Sequence, residues 1–215
     1  PQVLSSAVVT PRLRAASTRP DRSGNSIVTD PAASSQTSRV RGPIMAASIT
    51  SLFDLTGTVS VVTGAGRGIG KAAAELLARA GASVVVSDID QATATGTTEG
   101  IVAAGGIAAA VRSDIADEAS VKALYAAAVA KFGRLDSVVH SAAIFPKYAL
   151  LDITVEQWDR IHAVNLRGTM LVMREAIRVM QGLGNGGSIV NISSVSGERE
   201  LVFHNAAYGA SKAGM

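Results

Sequence analysis

Four glycines at alternate positions, Gly64, Gly66, Gly68 and Gly70, separate an apolar run at 58–63 from a helix-forming run at 69–80. Few folds accommodate such a segment. The glycines permit a tight turn and let backbone N–H groups approach an anion closely. The helix that follows adds about half a positive charge at its N-terminus. A carboxylate, Asp88, ends the next apolar run, eighteen residues past Gly70. A ribose-binding acid is expected about 20 residues beyond such a loop. The segment therefore reads as strand, phosphate-cradling turn and helix, with Asp88 on a nucleotide ribose. Capping of the following helix is the structural alternative for Asp88.

The rest of the chain continues this alternation. Strands are expected at 83–87, 107–112, 135–140 and 188–193, each a nearly continuous apolar run. Helices are expected at 91–104, at 117–132 with Asp117 as cap and Gly133 as stop, and from Ala206 onward. A long helical region at 155–180 is expected to bend near Gly168. Apolar strands alternating with helices imply an α/β fold, a doubly wound parallel sheet of Rossmann type covered on both faces. The chain stops inside the last helix, so the fold reads as truncated after the strand at 188–193, which would be left as an exposed edge.

Residues 1–44 differ in kind. They hold five of the six prolines and six arginines but only two acids. That is a net +4 within a total of +3, so the remainder is near neutral and carries no nucleic-acid footprint. The segment reads as a disordered leader ahead of a domain at 45–215, lacking apolar residues to dock on it. Its Arg- and Ser-rich character also fits an organelle import signal; without one the expected location is cytoplasmic. No apolar run approaches the roughly 20 residues of a membrane span. The absence of cysteine excludes disulfides and thiolate catalysis, and the three histidines have no metal-ligand spacing.

At the far end, Tyr208 and Lys212 lie four residues apart, which on a helix stacks them on one face. A neighbouring ammonium favours the phenolate, so a group with a free pKa near ~10 can carry protons closer to neutrality. With these motifs in order, the chain from about Leu55 to Met215 resembles the short-chain dehydrogenase/reductase family. Residues 63–70 match its TGxxxGxG loop, Asp88 its NAD-selecting acid, and Asp114 the acid that meets the adenine amino group. Asn165 matches its helix asparagine, Ser194 its active-site serine, and Tyr208 and Lys212 its YxxxK pair.

The resemblance implies a catalytic set of Asn165, Ser194, Tyr208 and Lys212. Tyr208 would exchange the proton with the substrate oxygen and Ser194 would hydrogen-bond that oxygen. Lys212 would lower the Tyr208 pKa and hold the nicotinamide ribose. Asn165 would hold a water leading to solvent. Ser193 and Ser196 flank Ser194, and only the motif frame selects among the three. The implied cofactor set is Gly64, Gly66, Arg67, Gly68, Ile69, Gly70, Asp88, Asp114, Ile115, Ala142, Tyr208 and Lys212. Asp88 favours NAD over NADP, while Arg67 can meet a 2′-phosphate. The implied activity is NAD-dependent interconversion of a secondary alcohol and a ketone, in a full-length form that is a homo-oligomer, with no nucleic-acid or membrane partner. The alternatives are an inactive nucleotide- or partner-binding remnant and an NADPH-dependent 3-oxoacyl reductase. The family usually carries Asn-Asn-Ala-Gly after its fourth strand; here His140-Ser141-Ala142-Ala143 stands there. His140 is expected to brace the strand in place of asparagine, Trp158 to anchor packing, and His204 to lie in a solvated loop. The chain ending at Met215 is expected to be aggregation-prone and inactive alone.

Overall fold

A computed structural model describes residues 7–9, 52–199 and 205–215. Six strands form one sheet in the order β1-β6-β5-β2-β3-β4. They are β1 (Ala7–Val9), β2 (Val59–Thr63), β3 (Ser83–Asp88), β4 (Ile107–Arg112), β5 (Ser137–His140) and β6 (Ser188–Ile192). β2 to β6 are parallel, and β1 pairs antiparallel with β6. Three residues of the expected leader therefore form a strand, and the edge of β6 is paired rather than bare. The remaining leader and His204 lie outside the described residues.

Alternate side chains of each strand enter opposite cores, as a two-fold pleat requires. Val61, Val85 and Val138 pack with Leu124, Tyr125, Val172 and Ala176 from α3 (Glu118–Phe132) and α5 (Gly168–Leu183). Val62, Val84 and Val86 pack with Ala74, Ala78, Ala94 and Ile101 from α1 (Gly68–Arg79) and α2 (Gln91–Ala103). The sheet is thus wound on both faces, as expected. Successive strands run outward from β2 to β3 and β4, and the chain then returns to β5 on the other side of β2. That reversal leaves a crevice at the carboxyl ends of β2 and β5, where such folds bind ligands.

Local chemistry explains the helix ends. Asp90 caps α2 by accepting from the Ala92 and Thr93 amides, and Asp117 caps α3 through Ala119 and Ser120. Gly133 closes α3 in the left-handed conformation. α4 (Val155–His162) opens on a reciprocal Thr154–Gln157 capping box. The region expected as one helix with a bend at Gly168 is three pieces: α4, a π-turn (Ala163–Arg167) and α5. The irregularity precedes Gly168 and is centred on Asn165. Gly168 serves close packing, since a Cβ there would sit 3.0 Å from Ile115 Cδ1. α6 (Ala206–Gly214) carries Tyr208 and Lys212.

Candidate active site

The glycine turn is held by its neighbours. Gly64 has φ +64°, and a Cβ on it would lie 2.6 Å from the Ala142 Cα. The β5 loop therefore rests directly on this turn, and Ala142 follows from that contact. Gly66 donates its N–H to Asp88 Oδ2 at 2.9 Å, while Asp88 Oδ1 accepts from the Asp90 N–H at 3.1 Å. Asp88 is thus fixed at the end of β3 with both oxygens oriented by backbone. It does not cap α2; Asp90 does. α1 begins without a side-chain cap and without an acid in its first turn. Its first turn thus has the open, acid-free form that suits an anion.

A cleft of about 350 Å³ follows these elements. Gly64, Arg67, Ile69, Asp88, Asp114, Ile115 and Ala142 line it, all expected from sequence. Gly66, Gly68 and Gly70 shape the turn from behind; a Cβ on Gly70 would collide with the Gly64 carbonyl. Asp114 accepts from the Ala116 N–H at 2.9 Å, and its own N–H reaches Ser120 Oγ at 3.0 Å. Sequence reasoning missed Ser113, Ser141, Arg160 and Val164 in the wall. No local signal marks Arg160, which reaches the cleft from the last turn of α4.

The cleft opens into a second one sharing Arg67, Ala143, Ile144 and Arg160 and including Phe145. Phe145 packs edge-to-face on Tyr208, with ring centroids 4.4 Å apart. Tyr208 is half-buried, and burial raises its pKa; the Ser194 hydroxyl beside it pulls the other way. Lys212, expected from the resemblance to lower it, is not among the causes of this shift. The Lys212 amine lies 5.8 Å from the phenol ring centroid and donates to the Ile192 carbonyl at 2.8 Å. Burial lowers the Lys212 pKa to about 8. An ammonium spent on a carbonyl at that distance does little for a phenol that has itself lost water.

The three serines after β6 separate by contact. Ser193 Oγ donates to the Lys212 carbonyl at 3.1 Å, tying the β6 end to α6. Ser194 is the buried one facing Tyr208, and its Oγ accepts from the Ser196 N–H at 3.2 Å. Asn165 is fully buried. Its Oδ1 accepts from the Ile144 N–H and its Nδ2 donates to the Ile144 carbonyl, both at 2.9 Å. Nδ2 also reaches Ser211 Oγ at 3.2 Å, which donates to the Tyr208 carbonyl at 2.7 Å. The asparagine thus clamps the β5 loop to α6. His140 is fully buried, bonded to Thr63 and Thr169, and driven to a pKa of about 3 by burial and then by the Lys212 charge. It braces the strand, as expected of a residue replacing asparagine. Trp158 is 36% exposed and stacks on His162. It is not a core anchor.

A family model described as enoyl-(acyl carrier protein) reductase matches residues 64–215. A solved short chain dehydrogenase from Mycobacterium smegmatis superposes with a TM-score of 0.72 at 38% identity, covering 74% of this chain and 67% of that one. The chain belongs to the short-chain dehydrogenase/reductase family. Curated relatives include a sorbitol dehydrogenase of Cereibacter sphaeroides, 37% identical over 67% of this chain and 56% of its own length. An L-rhamnose 1-dehydrogenase (NAD(P)(+)) of Azotobacter vinelandii is 44% identical over 63% of this chain and 55% of its own length. The chain thus spans little more than half the length of these curated relatives. Among the described residues no helix is long and apolar enough to cross a membrane, and no cluster of metal-binding side chains occurs.

Proposed function

We propose that the protein is an NAD-dependent oxidoreductase interconverting a secondary alcohol and a ketone. The observation that carries this reading is a juxtaposition. A nucleotide-shaped cleft at the sheet switch point abuts, through Ile144 and Phe145, a phenol flanked by a buried serine and a buried lysine.

The residues present fit a nicotinamide dinucleotide. The uncapped start of α1 suits its pyrophosphate, Asp88 a ribose diol, Asp114 and Ile115 the adenine. Such a cofactor accepts or gives the hydride. The chain supplies the rest. Tyr208 gives or takes the proton at the substrate oxygen, and Ser194 donates a hydrogen bond to that oxygen. Lys212 holds the nicotinamide ribose, and Asn165 holds the water that connects the lysine with solvent. A phenol with a raised pKa is protonated at neutral pH and so is ready to act as the acid in the reductive direction. Sugar and sugar-alcohol dehydrogenases among the relatives point to a small polyhydroxylated substrate. The domain is read as 45–215, working in a homo-oligomer in the cytoplasm.

Arg67 and Arg160 at the same cleft favour a second reading, with a 2′-phosphorylated cofactor and a 3-oxoacyl substrate. A carboxylate at Asp88 repels that phosphate, which is why NAD leads. A turnover screen of the full-length protein against polyols, with NAD⁺ and NADP⁺ in parallel, tests both. NAD⁺ is expected to dominate, and Asp88→Ala to narrow the gap. Equal kcat/KM with the two cofactors in the unmutated protein overturns the preference.

A further inference from the structure

One of the two hydroxyls beside His140 is already committed elsewhere, and that commitment determines where the imidazole carries its proton. Thr169 Oγ1 donates to the Asn165 carbonyl at 2.7 Å. A hydroxyl has one hydrogen, so Thr169 can only accept from His140 Nε2, 3.0 Å away. Nε2 therefore bears the proton. In a neutral ring Nδ1 is then bare and must accept. Its neighbour at 2.7 Å is Thr63 Oγ1, which gives its own hydrogen and keeps lone pairs for the Ala142 N–H at 3.4 Å. All these side chains are buried.

We propose that His140 is a positioning residue: an imidazole protonated on Nε2 that carries a one-directional chain of hydrogen bonds from the end of β2 to the Asn165 carbonyl. The direction runs Ala142 N–H to Thr63, Thr63 to His140, His140 to Thr169, and Thr169 to Asn165. One end is the strand that enters the glycine turn. The other is the residue that clamps Ile144 and, through Ser211, the Tyr208 backbone. Each donor in such a chain is strengthened by the one behind it. His140 thereby sets the seating of the catalytic helix against the cofactor turn without touching either ligand. Among the described residues, the charged group that acts on it is Lys212, whose cation opposes a second proton on the ring. The catalytic half of this inference rests on the dehydrogenase reading; the tautomer half does not.

The test uses the full-length protein labelled with ¹⁵N-histidine. Long-range ¹H–¹⁵N correlation is expected to show one histidine protonated on Nε2 and unchanged from pH 5 to 8. Thr169→Val removes the acceptor of that proton and the donor to Asn165. It is expected to mix the tautomers and lower kcat by about 10- to 100-fold, the scale of an ångström of misplacement, while coenzyme KM holds. Thr169→Ser is expected to restore both readouts, which a role in packing alone would not predict. A proton on Nδ1, a ring that titrates as a free imidazole, or unchanged tautomer and kcat in Thr169→Val each overturns the relay. If no substrate turns over, the dehydrogenase reading fails while the spectrum still decides the relay. If the valine variant does not fold, the spectrum of the unmutated protein decides it alone.

Discussion

Burial, more than charge pairing, shifts the pKa values of Tyr208, Lys212 and His140. Tyr208 is pushed up and Lys212 down because both have lost water. On the proposed dehydrogenase reading the phenol carries the proton at the substrate oxygen, so Tyr208→Phe is expected to cut kcat by at least ~10²–10⁴-fold. NAD affinity, read by fluorescence titration, should barely change; a variant that keeps most of its turnover removes Tyr208 from the chemistry. His140 supplies a prediction in pH. Its folded pKa of about 3 lies below its ordinary value of 6.5. From pH 6.5 down to 3 the unfolded chain binds the proton that the folded chain refuses, so stability falls as pH falls. The slope from this one group approaches ~1.4 kcal/mol per pH unit. His140→Asn should flatten that part of the urea-stability profile. An unchanged slope would mean that the ring is protonated in the fold.

At the scale of elements, the β2 turn and the β5 loop act as one unit. The Ala142 backbone occupies the space a side chain on Gly64 would need, and Gly64 has a positive φ. Gly64→Ala is expected to cost about 2–4 kcal/mol, from the left-handed backbone and the overpacking together. Urea denaturation measures it, and NAD affinity should fall with it. A loss under ~1 kcal/mol would show that the loop yields. The Asp90 cap and the Thr154–Gln157 box were not read from the sequence. The alternation of strands and helices was legible, as were Asp117 and Gly133, which act on residues two to four positions away. The π-turn was not. It is centred on Asn165, whose buried amide has its partners 21 and 46 residues away.

For the molecule as a whole, the sheet edge is the element most altered from expectation. The sequence reading treats residues 1–44 as a disordered leader that does not dock on the domain, with the edge of β6 bare. Instead Ala7, Val8 and Val9 pair with Ile192, Asn191 and Val190. Deleting residues 1–44 is therefore expected to unpair that edge and speed aggregation, followed by light scattering at rising protein concentration. Identical scattering with and without the segment would show that β1 protects nothing.

What the sequence determined by itself is local or periodic: the glycine turn, the acid after the next strand, the Tyr208–Lys212 spacing and the two-sided sheet. Each follows from backbone geometry over a few residues or from a repeating apolar pattern. What only the tertiary structure decided depends on distant neighbours. The partners of His140 are 77 and 29 residues from it, Arg160 meets in one cleft residues from the ends of several strands, and the Tyr208 shift is upward because packing removes water. Desolvation and long-range hydrogen bonding belong to the assembled interior. No stretch of sequence carries them until packing brings the stretches together.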